Sequence, residues 1–214
     1  YYAAGGVQWP FRGTLGFLQS NSLGNPELKP ESTTEYEAGL ELRMLAGRAR
    51  LDISYYDKRS YDQIFSVPSS AATGYTSITR NAGNLSNKGV EVSAHVVPIS
   101  SPRLRWDVRA NWSRNRSMVE SLAPGVTSIP LAGYAFPQIR IMAGLPYGVI
   151  WGTGFLRNEK GQVLIGDDGL PLWDDKQKVI GNIQPDWMGS LSTSIQAGPF
   201  TLSALLNTVQ GGDI

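Results

Sequence analysis

The sequence predicts an all-β protein, an antiparallel sheet with one apolar and one polar face, as in the wall of a transmembrane β-barrel. Three observations carry that expectation. Four segments alternate between apolar and polar residues with period two, the signature of strands with one dry and one wet face. Short turns join pairs of these segments and flip the parity as hairpins require. Long connections rich in Gly and Pro lie between the hairpins, and the chain holds 24 Gly and 13 Pro in 214 residues. Charged residues make up 17%, below the roughly 25% of an ordinary soluble domain.

Taken in order, the chain opens at Tyr1-Tyr2 as if inside an element, and a stretch from Gly5 to Thr34 precedes the first clear strand. From Tyr36 to Met44 the dry positions are Tyr36, Ala38, Leu40, Leu42 and Met44, with Glu37, Gly39, Glu41 and Arg43 between them. After Ala46-Gly47 the parity inverts, and Ala49, Leu51, Ile53 and Tyr55 are dry. A two-residue loop there pairs Leu45 with Arg48 and sets Leu42, Leu40 and Ala38 opposite Leu51, Ile53 and Tyr55. Val90, Val92, Ala94 and Val96 form a third dry row, and Leu104, Trp106, Val108, Ala110 and Trp112 a fourth. A loop from Pro98 to Pro102 would pair Val97 with Arg103, Val92 with Val108 and, on the wet side, Glu91 with Arg109. A fainter hairpin runs up from Trp187 to a turn at Ala197-Gly198 and away through Phe200, Leu202, Ala204 and Leu206, with Leu205 breaking its wet face. The chain stops at Gly211-Gly212-Asp213-Ile214 without a terminal element, so residues 1–214 read as a fragment.

The long connections are expected near Ser60–Lys88 and Arg116–Asp186. The apolar run from Leu131 to Leu156 lies in the second and reads as loop. Pro137, Pro146 and Arg140 break it, and its uncharged run falls short of the roughly 20 residues of a spanning helix. Long loops on one side and short turns on the other are the habit of outer-membrane barrels. Strands of about 9 to 11 residues match a tilted crossing. Tyr36, Tyr55, Trp112 and Trp187 sit near strand ends, where an interfacial girdle belongs. The rival is a soluble antiparallel β-sandwich binding module, which accounts for the alternation equally well and for the rest poorly.

Several function classes are excluded or disfavoured. The net charge of +1 lacks the basic excess of a nucleic-acid binder. With no Cys and a single His95, thiolate chemistry and His-based metal or catalytic clusters have no basis. We expect no catalytic residues, no metal site and no cofactor, and hence no enzyme. Asp167-Asp168-Gly169 and Asp174-Asp175 lack the ligand spacing of a calcium loop and read as turns of an outer hairpin. Gly152-Thr153-Gly154 precedes no helix and is no phosphate cradle. His95 falls on the wet face beside Arg105. The loop aromatics Tyr75, Trp151 and Trp173 are candidate ligand contacts, against an ordinary packing role.

The residues around the strands carry a resemblance. Asn25-Pro26-Glu27-Leu28-Lys29-Pro30-Glu31, followed by Tyr36-Glu37-Ala38-Gly39-Leu40-Glu41, resembles a segment of SusC/RagA-type TonB-linked outer-membrane transporters. In order come Asp52–Lys58, then Asn81-Ala82-Gly83-Asn84 with Asn87-Lys88-Gly89-Val90-Glu91, then Gly144-Leu145-Pro146, Gly181-Asn182 and Pro185-Asp186. The motif residues Asn25, Pro26, Leu28, Glu31, Glu37, Gly39, Asn81, Ala82, Gly83, Asn87, Lys88, Gly89, Glu91, Pro185 and Asp186 read as architectural. Gly83 and Gly89 would permit tight turns where a loop re-enters the wall, Asn81, Asn84 and Asn87 would bond nearby backbone, and Pro26 and Pro30 would stiffen the approach to the first strand.

The resemblance implies a plugged barrel of about 22 strands, of which about six lie here, with long extracellular loops. The whole of 1–214 is then a partial barrel domain, with the plug and the final strands outside it. It further implies a Gram-negative outer membrane, lipid against the dry face, TonB–ExbBD as energy source and a SusD-like lipoprotein partner. Import of a bulky nutrient, oligosaccharide or peptide, follows. The rival activities are another TonB-dependent receptor, for example for a metal chelate, and a passive porin.

Overall fold

The computed structural model describes residues 8–11, 14–16, 20–133, 135 and 137–213. The expected opening inside an element at Tyr1-Tyr2 lies outside them. The strands are β1 (Gln8–Phe11), β2 (Thr14–Gly16), β3 (Ser22–Leu23), β4 (Ser32–Met44), β5 (Ala49–Pro68), β6 (Ser77–Ser100), β7 (Leu104–Leu122), β8 (Ser128–Ala132), β9 (Gln138–Met142), β10 (Val149–Phe155), β11 (Trp173–Asn182), β12 (Pro185–Ala197) and β13 (Phe200–Gly211). The main sheet runs β13-β12-β7-β6-β5-β4, all antiparallel, with β3 added parallel to the start of β6. A second sheet, β11-β10-β9-β8, is built from the connection between β7 and β12, and β1 pairs with β2 alone. Among the described residues no helix is long and apolar enough to cross a membrane, which says nothing about strands.

The first hairpin follows the sequence. Leu42, Leu40 and Ala38 face Leu51, Ile53 and Tyr55. The Arg48 N–H donates to the Leu45 carbonyl at 3.1 Å. Leu45, Ala46 and Gly47 all take positive φ, of 56°, 53° and 85°, and the last ladder pair is Met44 with Ala49, so the turn takes in Leu45–Arg48 while the register stays the expected one.

The second hairpin corrects the expected register. Val92 lies opposite Trp112, not Val108, and Glu91 opposite Ser113, not Arg109, whose partner is His95. The reason is Pro98. β6 does not end there but runs on to Ser100, with a register shift between Val96 and Ile99. A residue without an N–H is tolerated where a bulge already interrupts the ladder. The slip is an even number of residues, so every side chain stays on its expected face. In the third hairpin the loop is Gly198-Pro199, between Ala197 and its partner Phe200, one residue beyond the expected dipeptide.

The long connections are shorter than expected. β5, β6 and β7 reach 20, 24 and 19 residues, so only Ser69–Thr76 lies between β5 and β6. Period-two hydrophobicity reports the apolar band and goes silent where the same ladder continues with polar residues on both faces. The Leu131–Leu156 run is likewise no plain loop, since it holds β9, β10 and the end of β8. The stretch before β4 contains β1, β2 and β3.

The second sheet lies over the far end of the main sheet. Ile129 of β8 and Ile141 of β9 are fully buried with Val119 of β7, Ala82 of β6 and Val67 of β5. Val119 has the parity of the wet residues, so this core covers the polar face where it leaves the alternating region. Each fully buried isoleucine contributes about 1.5–3 kcal/mol. The apolar face carries no such cover. Leu40, Met44, Leu191, Leu202 and Leu206 all stand exposed on it, the last at 65%.

Candidate functional site: the polar face of the main sheet

Because the registers of five strand pairs are continuous, whole rows can be followed across six strands. Leu42, Leu51, Ala94, Ala110, Leu191 and Leu206 form one row on the dry face. The next row, pointing the other way, is Glu41, Asp52, Ser93, Asn111, Ser190 and Asn207. Every member of the first is aliphatic and every member of the second can hydrogen-bond. Within the polar row the Ser93 hydroxyl donates to Asn111 Oδ1 at 2.8 Å and Asn111 Nδ2 donates to Ser190 Oγ at 3.2 Å. These neutral groups line a shallow depression with Asp52, Glu91 and Asn207.

Towards the short turns the polar face becomes ionic. Arg50 bridges Asp52 at 2.9 Å and Glu41 at 3.4 Å. Asp107 accepts from Arg105 at 2.7 Å and lies 3.1 Å from His95 Nε2. His95 therefore sits on the polar wall, as expected, held with Arg105 through one carboxylate. These exposed pairs contribute little stability each, and they order long side chains along the wall.

Three of the motif residues, Glu31, Asn81 and Asn84, meet at one place, the interruption of β5 at Asp62. Asp62 has φ of 56°, and the β5–β6 register shifts between Ser60 and Gln63. Its freed backbone groups find side chains. The Asp62 N–H donates to Asn84 Oδ1 at 3.1 Å, and Asn81 Nδ2 donates to the Asp62 carbonyl at 2.6 Å. The Ile64 N–H donates to Glu31 Oε1 at 2.6 Å. Asn81 also exchanges two 2.9 Å hydrogen bonds with the Lys29 backbone. The segment from Asn25 to Glu31 is thereby tied to the bulge, and Asn25 Oδ1 caps its own turn by accepting from the Glu27 N–H at 2.9 Å. Pro26 and Leu28 stand exposed in that turn, and Ala82 is buried behind it. An extended strand offers no local hint of a bulge, so the sequence alone did not reveal this partnership.

The two motif glycines act differently from the expectation. Gly83 and Gly89 lie inside β6 and neither has a positive φ. A Cβ on Gly89 would fall 2.3 Å from the Tyr56 ring, and one on Gly83 3.2 Å from Phe65. They are bare so that aromatic rings can lie across them, and Tyr56 reaches over Gly89 to donate to Asn115 Oδ1 at 3.2 Å. Asn87 lines the polar face near Glu37 and Lys58 and has no side-chain hydrogen bond to the described residues. Gly39 sits opposite Ser54 without close contact, and Lys88 lies on the outer face paired with Asp57 at 3.0 Å. Pro185 begins β12, and the Asp186 carboxylate lies where a Cβ on Gly211 would project.

The loop aromatics are not gathered into one site. Tyr75 is in the turn between β5 and β6. Trp151 of β10 donates to Gln177 Oε1 at 3.1 Å. Trp173 is exposed and leans on Phe155 with ring centroids 4.9 Å apart. Next to it Lys178 donates to Asp174 at 2.5 Å, and that hydrogen bond holds the Asp174 carboxyl below the usual aspartate range. Asp167-Asp168-Gly169 form a turn closed by the Gly169 N–H donating to the Gly166 carbonyl at 2.9 Å, and Gly152–Gly154 lie within β10.

Comparison with known proteins matches this geometry to one family. A family model described as TonB dependent receptor-like, beta-barrel covers residues 5–213. TonB-dependent receptor P26 of Formosa agariphila is 30% identical over 165 residues, covering 73% of this chain and 17% of that protein. TonB-dependent receptor SusC of Bacteroides thetaiotaomicron is 32% identical over 120 residues, 56% of this chain and 12% of that protein. The structure of the RagAB peptide transporter matches with a TM-score of 0.75 at 20% identity, covering 96% of this chain and 24% of that one. The curated relatives are matched over only 10% to 21% of their own length.

Proposed function

Because the chain belongs to the TonB dependent receptor-like β-barrel family, we propose that it is of the SusC/RagA type and forms part of the barrel wall of a nutrient importer in the outer membrane of a Gram-negative bacterium. The observation that carries the reading is the pairing of a bare apolar face with a hydrogen-bonding one across six strands. An apolar sheet of that extent is not left open to water by a soluble monomer. Lipid is the medium that makes it stable, and a polar lumen then takes the opposite side. In a sandwich the dry face would be the core, whereas among the described residues the buried cluster of the main sheet, with Val119, lies on the wet side.

The cargo in this reading is a bulky oligosaccharide or peptide. Neutral hydroxyls and amides at Ser93, Asn111, Ser190 and Asn207 suit a ligand dense in hydroxyl or amide groups better than a small ion. The whole protein works with a SusD-like lipoprotein and draws energy from TonB–ExbBD through regions beyond these residues, including a plug. Glu31, Asn81 and Asn84 hold the wall around the Asp62 bulge, and Trp173, exposed on the loop sheet, is the aromatic best placed for cargo.

The test is uptake of fluorescent oligosaccharides and peptides by cells carrying the full-length protein, with and without TonB. Uptake of one class should be lost without TonB. Uptake that persists unchanged without it would make the protein a passive pore and overturn the proposal.

A further inference from the structure

We propose that the outer face of β5–β7, just beyond the apolar band, binds the phosphate of a lipid headgroup. The inference rests on the reading of the dry face as lipid-facing and goes beyond it by assigning a site. The dry parity of β7 runs Trp106, Val108, Ala110, Trp112 and then changes to Arg114 and Arg116. Arg114 lies opposite Val90 and Arg116 opposite Lys88. Lys88 is in turn opposite Asp57, and Arg59 follows two residues along β5. Four cations thus share one patch of the outer face, which follows Trp112 along β7 and shares its rows with Tyr55 and Tyr36.

The acids of the patch leave charge uncompensated. Asp57 pairs with Lys88 at 3.0 Å and approaches Arg59 at 3.7 Å. Glu120 accepts from the Ser86 hydroxyl. Arg114 and Arg116 are exposed and make no ion pair or side-chain hydrogen bond with any described residue. On one strand face they stand about 7 Å apart, with Lys88 about 5 Å from Arg116 across the ladder. That spacing lets two guanidinium forks and an ammonium converge on one phosphate, the anion whose geometry guanidinium matches best.

Two features point to a lipid and not to free phosphate or an acidic protein. The apolar surface directly adjoining the cations, Val90, Val92 and Trp112, is uncovered, so the occupant must carry an acyl chain beneath an anionic head. A cation is costly within the hydrocarbon and tolerated at the interface, so the abrupt change from Trp112 to Arg114 marks the headgroup level.

The experiment uses the full-length protein in micelles of a phosphorus-free maltoside detergent doped with phosphatidate, with binding read by retained lipid phosphorus after gel filtration. Wild type should retain phosphatidate, and the Arg114→Gln/Arg116→Gln double variant should bind at least tenfold more weakly. Arg109→Gln, on the wet face, should bind like wild type, and millimolar inorganic phosphate should not displace the lipid. A nitroxide at Val108→Cys, read by oxygen accessibility, reports separately whether the dry face meets hydrocarbon. Unchanged binding by the double variant, or full displacement by inorganic phosphate, with Val108 in hydrocarbon, overturns the headgroup site alone. A water-exposed Val108 label overturns the reading beneath it.

Discussion

Val108→Arg is the substitution that most directly probes the lipid-facing assignment. Val108 lies on the dry face between Trp106 and Ala110, opposite Val96 on one side and Thr193 on the other. It is four residues along β7 from Trp112, about 13 Å of strand and, at a tilt of about 40°, about 10 Å of depth. The apolar band of such a wall is about 25 Å tall, so Val108 sits close to its middle. An arginine there costs about 2–4 kcal/mol. The reference is Asn111→Arg, three residues away on the opposite face. It removes the Ser93 and Ser190 hydrogen bonds, worth about 1 kcal/mol when water replaces them, and leaves the new charge hydrated. In the full-length protein, refolding into vesicles across a urea series should show Val108→Arg less stable than Asn111→Arg by about 1–3 kcal/mol. Its heat-modifiable band should also fade on gels. Equal stabilities, or a larger loss at Asn111, would refute the assignment of the two faces.

Three further outcomes follow from the same geometry. Cysteines at Ser70 and Lys160, both exposed and on the long-connection side, should react with an impermeant maleimide on whole cells while Gly47→Cys does not; labelling of Gly47 alone would invert the topology. Asn81→Ala should loosen the Asn25–Glu31 segment by about 1–3 kcal/mol, because the Asp62 carbonyl and the Lys29 backbone lose their partners together, and hydrogen exchange at Lys29 and proteolysis before Ser32 would report it. Gly89→Ala should displace Tyr56, whose ring occupies the Cβ position, and break its bond to Asn115; unchanged stability and tyrosine near-ultraviolet dichroism would contradict the close approach.

How much of this was legible in the sequence depends on which physical signal each feature leaves. The Ala46-Gly47 turn was legible because its length, its parity flip and its need for positive φ all act on neighbouring residues. The dry and wet faces were legible because alternation is local. The register of β6 on β7 was not, since Pro98 reads as a breaker and only the partner strand shows that it is absorbed in a bulge. The extensions of β5, β6 and β7 were missed because backbone pairing continues after side-chain alternation stops. The motif residues were recognisable as a set, yet their task around Asp62 was hidden. Asn81 acts across 19 residues on Asp62 and across 52 on Lys29, distances at which no local pattern operates.

The two outermost strands explain why the row chemistry matters beyond this sheet. Among the described residues β4 and β13 are each paired on one side only, over 13 and 12 residues. Soluble proteins protect such edges with proline, charge or a covering element. β13 has no proline and no charged residue, and the charges of β4, Glu35, Glu37, Glu41 and Arg43, all point to the wet face. Neither edge is blunted on its lipid side. In lipid an open ladder has no water to satisfy it, so the proposed wall is stable only where further strands continue the pairing beyond β4 and β13. The rows anticipate that continuation. Leu206 and Asn207 at the last strand still obey the alternation set by Leu42 and Glu41 at the first, so the next strand on either side meets a ready register with its lumen and lipid faces already assigned.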